Sequence, residues 1–213
     1  MFTRPSYPLI GAMLAALAAI ALAAFVAWQI TRPTPIATVG KSASVAVPSN
    51  IGIGGPFSLT DQNGNPVRDT DFRGKFMLVY FGYGFCPDVC PTELQNIAAA
   101  LDELGDKAKA VQPIFITVDP ERDTPKFLAD YVPSFYPRLI GLTGTREQID
   151  KVAKEYRVYY AKVESDSAGD YLVDHTSYVY LMGRDGGFLT MFRNATDPKN
   201  MATTIAGYMG EKG

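Results

Sequence analysis

Histidine and cysteine are almost absent from this chain of 213 residues: there is one histidine, His175, and two cysteines, Cys86 and Cys90. Structural zinc is held by four protein ligands, and no further cysteine or histidine exists to complete such a shell. Any chemistry that needs an imidazole must use His175. A dominant charge is missing too. Lys plus Arg number 20 and Asp plus Glu 22, a formal net charge of −2, and no basic block stands out. Nucleic acid and anionic membrane surfaces, which call for such blocks, are therefore not expected as partners. No internal repeat is present, and the one biased tract is alanine-rich and N-terminal.

That tract opens what the chain does contain. "LIGAMLAALAAIALAAFVAW", Leu9 to Trp28, runs twenty residues without a charge, about the length an α-helix needs to cross ~30 Å of hydrocarbon. It predicts one transmembrane helix over 9–30 behind a short tail, 1–8, with Trp28 and Arg32 suited to the interface. The rival is a cleaved signal peptide with Ala21-Leu22-Ala23 at its cleavage site, but the apolar run continues beyond it through Phe25, Val26 and Trp28. Either way the C-terminal part is exported. Residues 31–51 hold Pro33, Pro35, Pro48 and Gly40 with no apolar periodicity, and read as a flexible linker. The folded domain is expected over 52–213, ample for one core. With no transit-like extension visible, the expected location is a bacterial inner membrane, single-pass, with this domain in the periplasm.

Within that domain "FSLTDQNGNPV" reads as an N-terminal β-hairpin turning at Asn63-Gly64. "FMLVYFG" and "VQPIFITV" are continuous apolar runs of buried-strand type. "PTELQNIAAALDEL" has helical period, a second helix opens at Thr124-Pro125, and Thr145 to Gln148 fits a capping box opening "REQIDKVAKEY". "LIGL", "VYYAKV", "TSYVYLM" and "FLTMF" read as strands, and a last helix begins at Asp197-Pro198. Alternating strands and helices imply an α/β class, and the terminal hairpin makes the sheet mixed. The order of elements resembles the thioredoxin fold.

Both cysteines lie in "YFGYGFCPDVCPTEL", between the first buried strand and the first helix. If the helix opens at Pro91, Cys90 is its N-cap and Cys86 lies in the loop above it; if it opens at Pro87, the two form an i, i+4 pair on one face. Either arrangement brings the sulfurs together, and helix-terminal N–H groups favour thiolate. A purely structural disulfide closing so short a loop would stabilise by only about 2 kcal/mol. A thioredoxin-type redox pair has two intervening residues rather than three, and a peroxidatic cysteine is usually preceded by threonine where Tyr83 stands.

"YLVDHTSYVYL" places His175 just before a strand. Function in open α/β sheets gathers beyond the carboxyl ends of the parallel strands. An antiparallel strand starts at that same edge, which carries His175 toward the two thiols and toward Asp119, at the end of the second buried strand. Two thiolates and one imidazole make a soft, three-legged site suited to copper, either Cu(I) or Cu(II) with an added oxygen ligand. Such a shell stays open to a recipient's ligand.

"FGYGFCPDVCPTEL", "TVDPERDTP" and "YLVDHTSYVYL" together resemble the Sco/SenC family of thioredoxin-like copper chaperones, over roughly Phe57 to Met209. The resemblance implies copper ligands at Cys86, Cys90 and His175 and an acidic motif at Asp119 and Asp123. It implies delivery of copper to the dinuclear copper site of cytochrome c oxidase subunit II, with another periplasmic copper carrier or thiol reductant as further partners. Asp119, Asp123 and Asp174 stand as residues that orient a ligand or dock a partner, with ordinary Asp-Pro turn chemistry as the alternative. A metallochaperone is implied rather than an enzyme. The other reading is a thiol–disulfide oxidoreductase in which Cys86 and Cys90 are a redox-active pair reducing that subunit or other exported proteins. Gly84 stands where the family often has threonine; the exchange loses a hydroxyl and is expected to loosen the loop.

Overall fold

A computed structural model of the chain describes residues 52–164 and 171–210, together with Leu17, Ile20, Ala21, Leu22, Ala24, Phe25, Ala27, Trp28 and Gln29. The chain divides into two units, Met1–Lys41 and Ser42–Gly213. In the first, the described residues are helical and exposed. Among the described residues no helix is long and apolar enough to cross a membrane. The expected anchor over 9–30 falls largely outside them, as do the tail 1–8 and the linker 31–51.

The second unit is built on two strands that are apolar throughout, β3 (Phe76–Gly82) and β4 (Val111–Thr117). They pair in parallel with every residue buried, which is why neither shows polar alternation. Around them lie β1 (Ser58–Asp61), β2 (Pro66–Arg68), β5 (Ile140–Thr143), β8 (Val179–Met182) and β9 (Phe188–Phe192), giving one mixed sheet in the order β2-β1-β5-β4-β3-β8-β9. Strands β6 (Tyr160–Glu164) and β7 (Tyr171–His175) form a separate antiparallel ribbon.

The helices are α1 (Val89–Leu104), α2 (Pro125–Tyr131), α3 (Arg146–Glu155) and α4 (Pro198–Gly210). Their starts follow the local chemistry. The Thr124 hydroxyl accepts from the Phe127 N–H with Pro125 in the first turn, and Thr145 and Gln148 close the expected capping box. Helix α1 buries Leu94, Ile97, Ala100, Leu101 and Leu104, an i, i+3, i+4, i+7 stripe against the sheet core. It also packs on α4.

Three consequences position the site. The carboxyl ends of β3 and β4 lie side by side, Gly82 opposite Thr117. Strand β8 runs antiparallel to β3 and starts at that end, Val179 opposite Tyr80. Finally, His175 lies just before β8 as expected, and it is itself the last residue of β7, opposite Tyr160. The β6–β7 ribbon was not expected as a unit: β7 carries only Val173 fully inside, so its sequence lacks the apolar weight of a core strand.

Candidate metal centre

Cys90 is not the N-cap of α1. Asp88 holds that position, and Cys90 is the second helical residue, its side chain fully buried. Pro91 then falls on the third position, where a missing N–H still costs no intrahelical bond. The Cys90 N–H, unused by the helix, points at Cys86 Sγ, 3.4 Å away. Space for the Cys90 sulfur comes from Gly82, where a Cβ would stand 2.9 Å from Cys90 Sγ. Both cysteines are free thiols, Cys86 half-buried.

His175 completes the group. Its Nε2 lies 3.2 Å from Cys90 Sγ, and the ligand atoms of Cys86, Cys90 and His175 all fall within 4.8 Å of one another. The other ring nitrogen, Nδ1, faces the Thr176 carbonyl at 3.1 Å. A carbonyl only accepts, so Nδ1 carries the proton and the Nε2 lone pair faces the sulfurs. Edge contacts with Tyr80 (6.2 Å) and Tyr83 (5.9 Å) hold the ring in place.

The two thiols titrate as a pair. Cys86 is drawn down to about 3, first by the Cys90 side chain donating to it and then, against its own burial, by the N–H groups of Cys90 and Asp88. Cys90 is pushed up by the Cys86 sulfur and by burial. One thiolate therefore sits on Cys86, facing solvent, and the remaining proton stays on the inner sulfur. A soft cation held by Cys86, Cys90 and His175 would take the place of that proton.

The acidic residues lie behind the cluster. Asp123 is fully buried, and its Oδ2 accepts from the Gly84 N–H at 2.9 Å and the Thr117 hydroxyl at 2.6 Å. Burial raises its carboxyl to about 6 against those two bonds. Asp119, also fully buried, accepts from Arg122 Nε at 2.5 Å and from the Tyr171 hydroxyl at 2.7 Å. Both also belong to the turn, with the Arg122 and Asp123 N–H groups donating to the Asp119 carbonyl. Asp174 is exposed, one step along β7 from His175 and hence on the other face of the ribbon. None of the three joins the Cys-Cys-His group.

Gly84 corrects an expectation. The loop there is not loosened: the Phe127 ring lies directly against Gly84, where any Cβ would overlap it, while Asp123 holds the Gly84 N–H. Tyr80, Gly82, Arg122 and Tyr171 went unread in the sequence, and Tyr83 was read only against a peroxidatic site. For Tyr80 and Gly82 a signal existed, since alternation puts them on one face of β3 at its thiol end.

With this geometry in place, the comparisons with known proteins become informative. Human "SCO1 homolog, mitochondrial" is 46% identical over 159 residues, covering 74% of this chain and 53% of that protein. The chain spans about half the length of such curated relatives. Copper-bound ScoI from Bradyrhizobium japonicum is 49% identical with a TM-score of 0.68, covering 73% of this chain and 99% of that one. Copper-bound ScoI from Arabidopsis thaliana is 42% identical with a TM-score of 0.71, covering 75% and 99%. These are thioredoxin-like α/β folds, in agreement with the mixed sheet described above. Against known families, residues 46–210 match SCO1/SenC, and the chain belongs to that family.

Proposed function

We propose that the exported domain binds copper through Cys86 Sγ, Cys90 Sγ and His175 Nε2 and delivers it to the dinuclear copper site of cytochrome c oxidase subunit II. The observation that carries this reading is the convergence of the chain's two cysteines and its single histidine within 4.8 Å. Two sulfurs and a neutral imidazole select copper over harder ions, and three donors leave room for a recipient's ligand to enter before these release. The copper-bound relatives support the same choice of metal. We assign the apolar segment 9–30 as a single-pass anchor in a bacterial inner membrane, with 31–51 as a linker that lets the periplasmic domain reach its partner.

The test replaces His175 with alanine in the full chain. Copper affinity should fall sharply, and the sulfur-to-copper charge-transfer band of the Cu(II) form should shift, while disulfide exchange survives. Unchanged copper binding would remove the proposal.

A second reading rests on a specific observation: an outer thiolate at Cys86 beside an inner, protonated Cys90. That is the arrangement of an attacking and a resolving thiol. Cys86 would attack a partner disulfide and release one partner thiolate. Cys90 would then attack Cys86, expelling the second partner thiol, so that the partner gains two electrons and the pair here becomes a disulfide. Loss of copper in His175→Ala with oxidase assembly intact would favour this reading.

A further inference from the structure

We infer that Arg122 is a positioning residue: it clamps the histidine-bearing ribbon onto the cysteine loop, so that the three donors are already gathered before a metal arrives. The inference rests on the copper reading only for its consequence; the clamp itself is geometric.

Arg122 follows β4 and belongs to neither arm of the site, yet it touches both. Its Nη1 donates to the Tyr171 carbonyl at 3.0 Å, at the first residue of β7, and its Nε donates to Asp119 at 2.5 Å. Asp119 in turn accepts from the Tyr171 hydroxyl at 2.7 Å, which closes a ring of three residues around the base of the ribbon. The guanidinium carbon lies 3.8 Å from the Tyr171 ring centre, 4.9 Å from Phe85 and 5.7 Å from Tyr83. Phe85 is the residue before Cys86, and Tyr83 presses its ring edge against His175. One planar cation thus contacts the strand that carries the imidazole and the loop that carries the thiolate.

The ribbon needs such a tie. Among the described residues it pairs with no strand of the main sheet, and Val163 and Leu172, which face each other across it, are 40% and 41% exposed. Val173 is its one buried side chain, with Tyr160 and Tyr171 packed at the core's edge, and charge-assisted and cation–π contacts add to that hold. A planar fork suits both tasks; a lysine would keep the charge and lose the second bond and the stacking.

Because His175 is the only histidine, its ring protons give a single imidazole signal in the tag-free, reduced, metal-free full chain. In the parent this signal should show through-space contacts to the Tyr83 ring. In Arg122→Ala those contacts should vanish and the signal should move toward that of free histidine. Copper affinity should fall about 10–100-fold, the usual loss when a residue that orients a ligand is removed. Arg122→Lys should recover part of both effects, and Tyr171→Phe, which keeps the ring, should disturb them least. Amide dispersion reports folding; should Arg122→Ala unfold, the Lys and Phe variants carry the test. Imidazole contacts and copper affinity within twofold of the parent in folded Arg122 variants would overturn the clamp. If His175→Ala leaves copper binding unchanged, the three-ligand reading fails, and the imidazole signal still decides the clamp by itself.

Discussion

Replacing Gly84 with threonine, the residue often found there in the family, should destabilise this protein. A Cβ at position 84 would overlap the Phe127 ring and stand 3.0 Å from Asp123 Oδ1. The ring cannot simply swing away. It is stacked at 5.0 Å on Phe85 and at 5.5 Å on Tyr131, so it is the middle of an aromatic row that ends beside Cys86. The backbone cannot easily give way either, because the Gly84 N–H is held by the buried Asp123 carboxylate. Forcing volume into a packed site of this kind costs about 1–3 kcal/mol. For a domain of this size, that lowers the thermal midpoint by about 2–12 °C. Denaturant unfolding of Gly84→Thr, Phe127→Ala and the double variant measures the clash directly. Once the ring is cut away, the Gly84→Thr penalty should shrink, with a coupling of about 0.5–3 kcal/mol. Equal penalties in both backgrounds, or none in either, would refute the reasoning, and the glycine would then be a tolerated exchange rather than a fitted one.

Two further predictions concern the thiol pair and the buried acid behind it. With Cys86 lowered to about 3, iodoacetamide should label it first in the reduced, metal-free chain, at a rate nearly flat from about pH 5 to 8; mass spectrometry that finds Cys90 labelled first, or a rate rising tenfold per pH unit, contradicts the assigned thiolate. Glu93 is fully buried, accepts from the Ala195 N–H at 3.0 Å, and is raised above the ordinary carboxylate range by burial. Its folded form therefore favours the proton, so its contribution is fully present below the unfolded value of about 4.3 and fades as pH rises through the folded value. Glu93→Gln should gain stability relative to the parent between about pH 4 and 7 in denaturant titrations, whereas Glu93→Ala strands the Ala195 N–H and should lose about 1–3 kcal/mol.

The sequence announced the core and the caps because those depend on local pattern. Phe76–Gly82 and Val111–Thr117 are apolar throughout, and burial on both faces of a parallel pair leaves no other reading. Thr124-Pro125 and the Thr145–Gln148 box carry their own start signals. The meeting of His175 with Cys86 and Cys90 was legible from strand direction together with the family resemblance, although the strand that carries His175 was not. What stayed hidden depends on three-dimensional company. The start of α1 at Val89 rather than Pro91 turns on a first-turn proline that the first four N–H positions tolerate equally. The β6–β7 ribbon has too little apolar weight to betray itself. The fit of Gly84 depends on Phe127, 43 residues away in the chain and adjacent in space.

The "DPERD" stretch shows what an ambiguous motif resolves into once its neighbours are known. Turn chemistry and a role at the site were alternatives in the sequence, and in the fold they are the same arrangement. The turn's backbone bonds aim two buried carboxylates in different directions: Asp123 toward the cysteine loop through Gly84, and Asp119 toward the histidine ribbon through Tyr171 and Arg122. Two arms that share no strand pairing are thereby tethered to one rigid corner at the end of β4. Such an anchorage ties the thiolate arm and the imidazole arm to the same corner, with Arg122 reaching both. Asp123→Asn should therefore act first on the cysteine side, read by iodoacetamide labelling of Cys86, whereas Arg122→Ala, which removes contacts to both arms, should also shift the His175 imidazole signal.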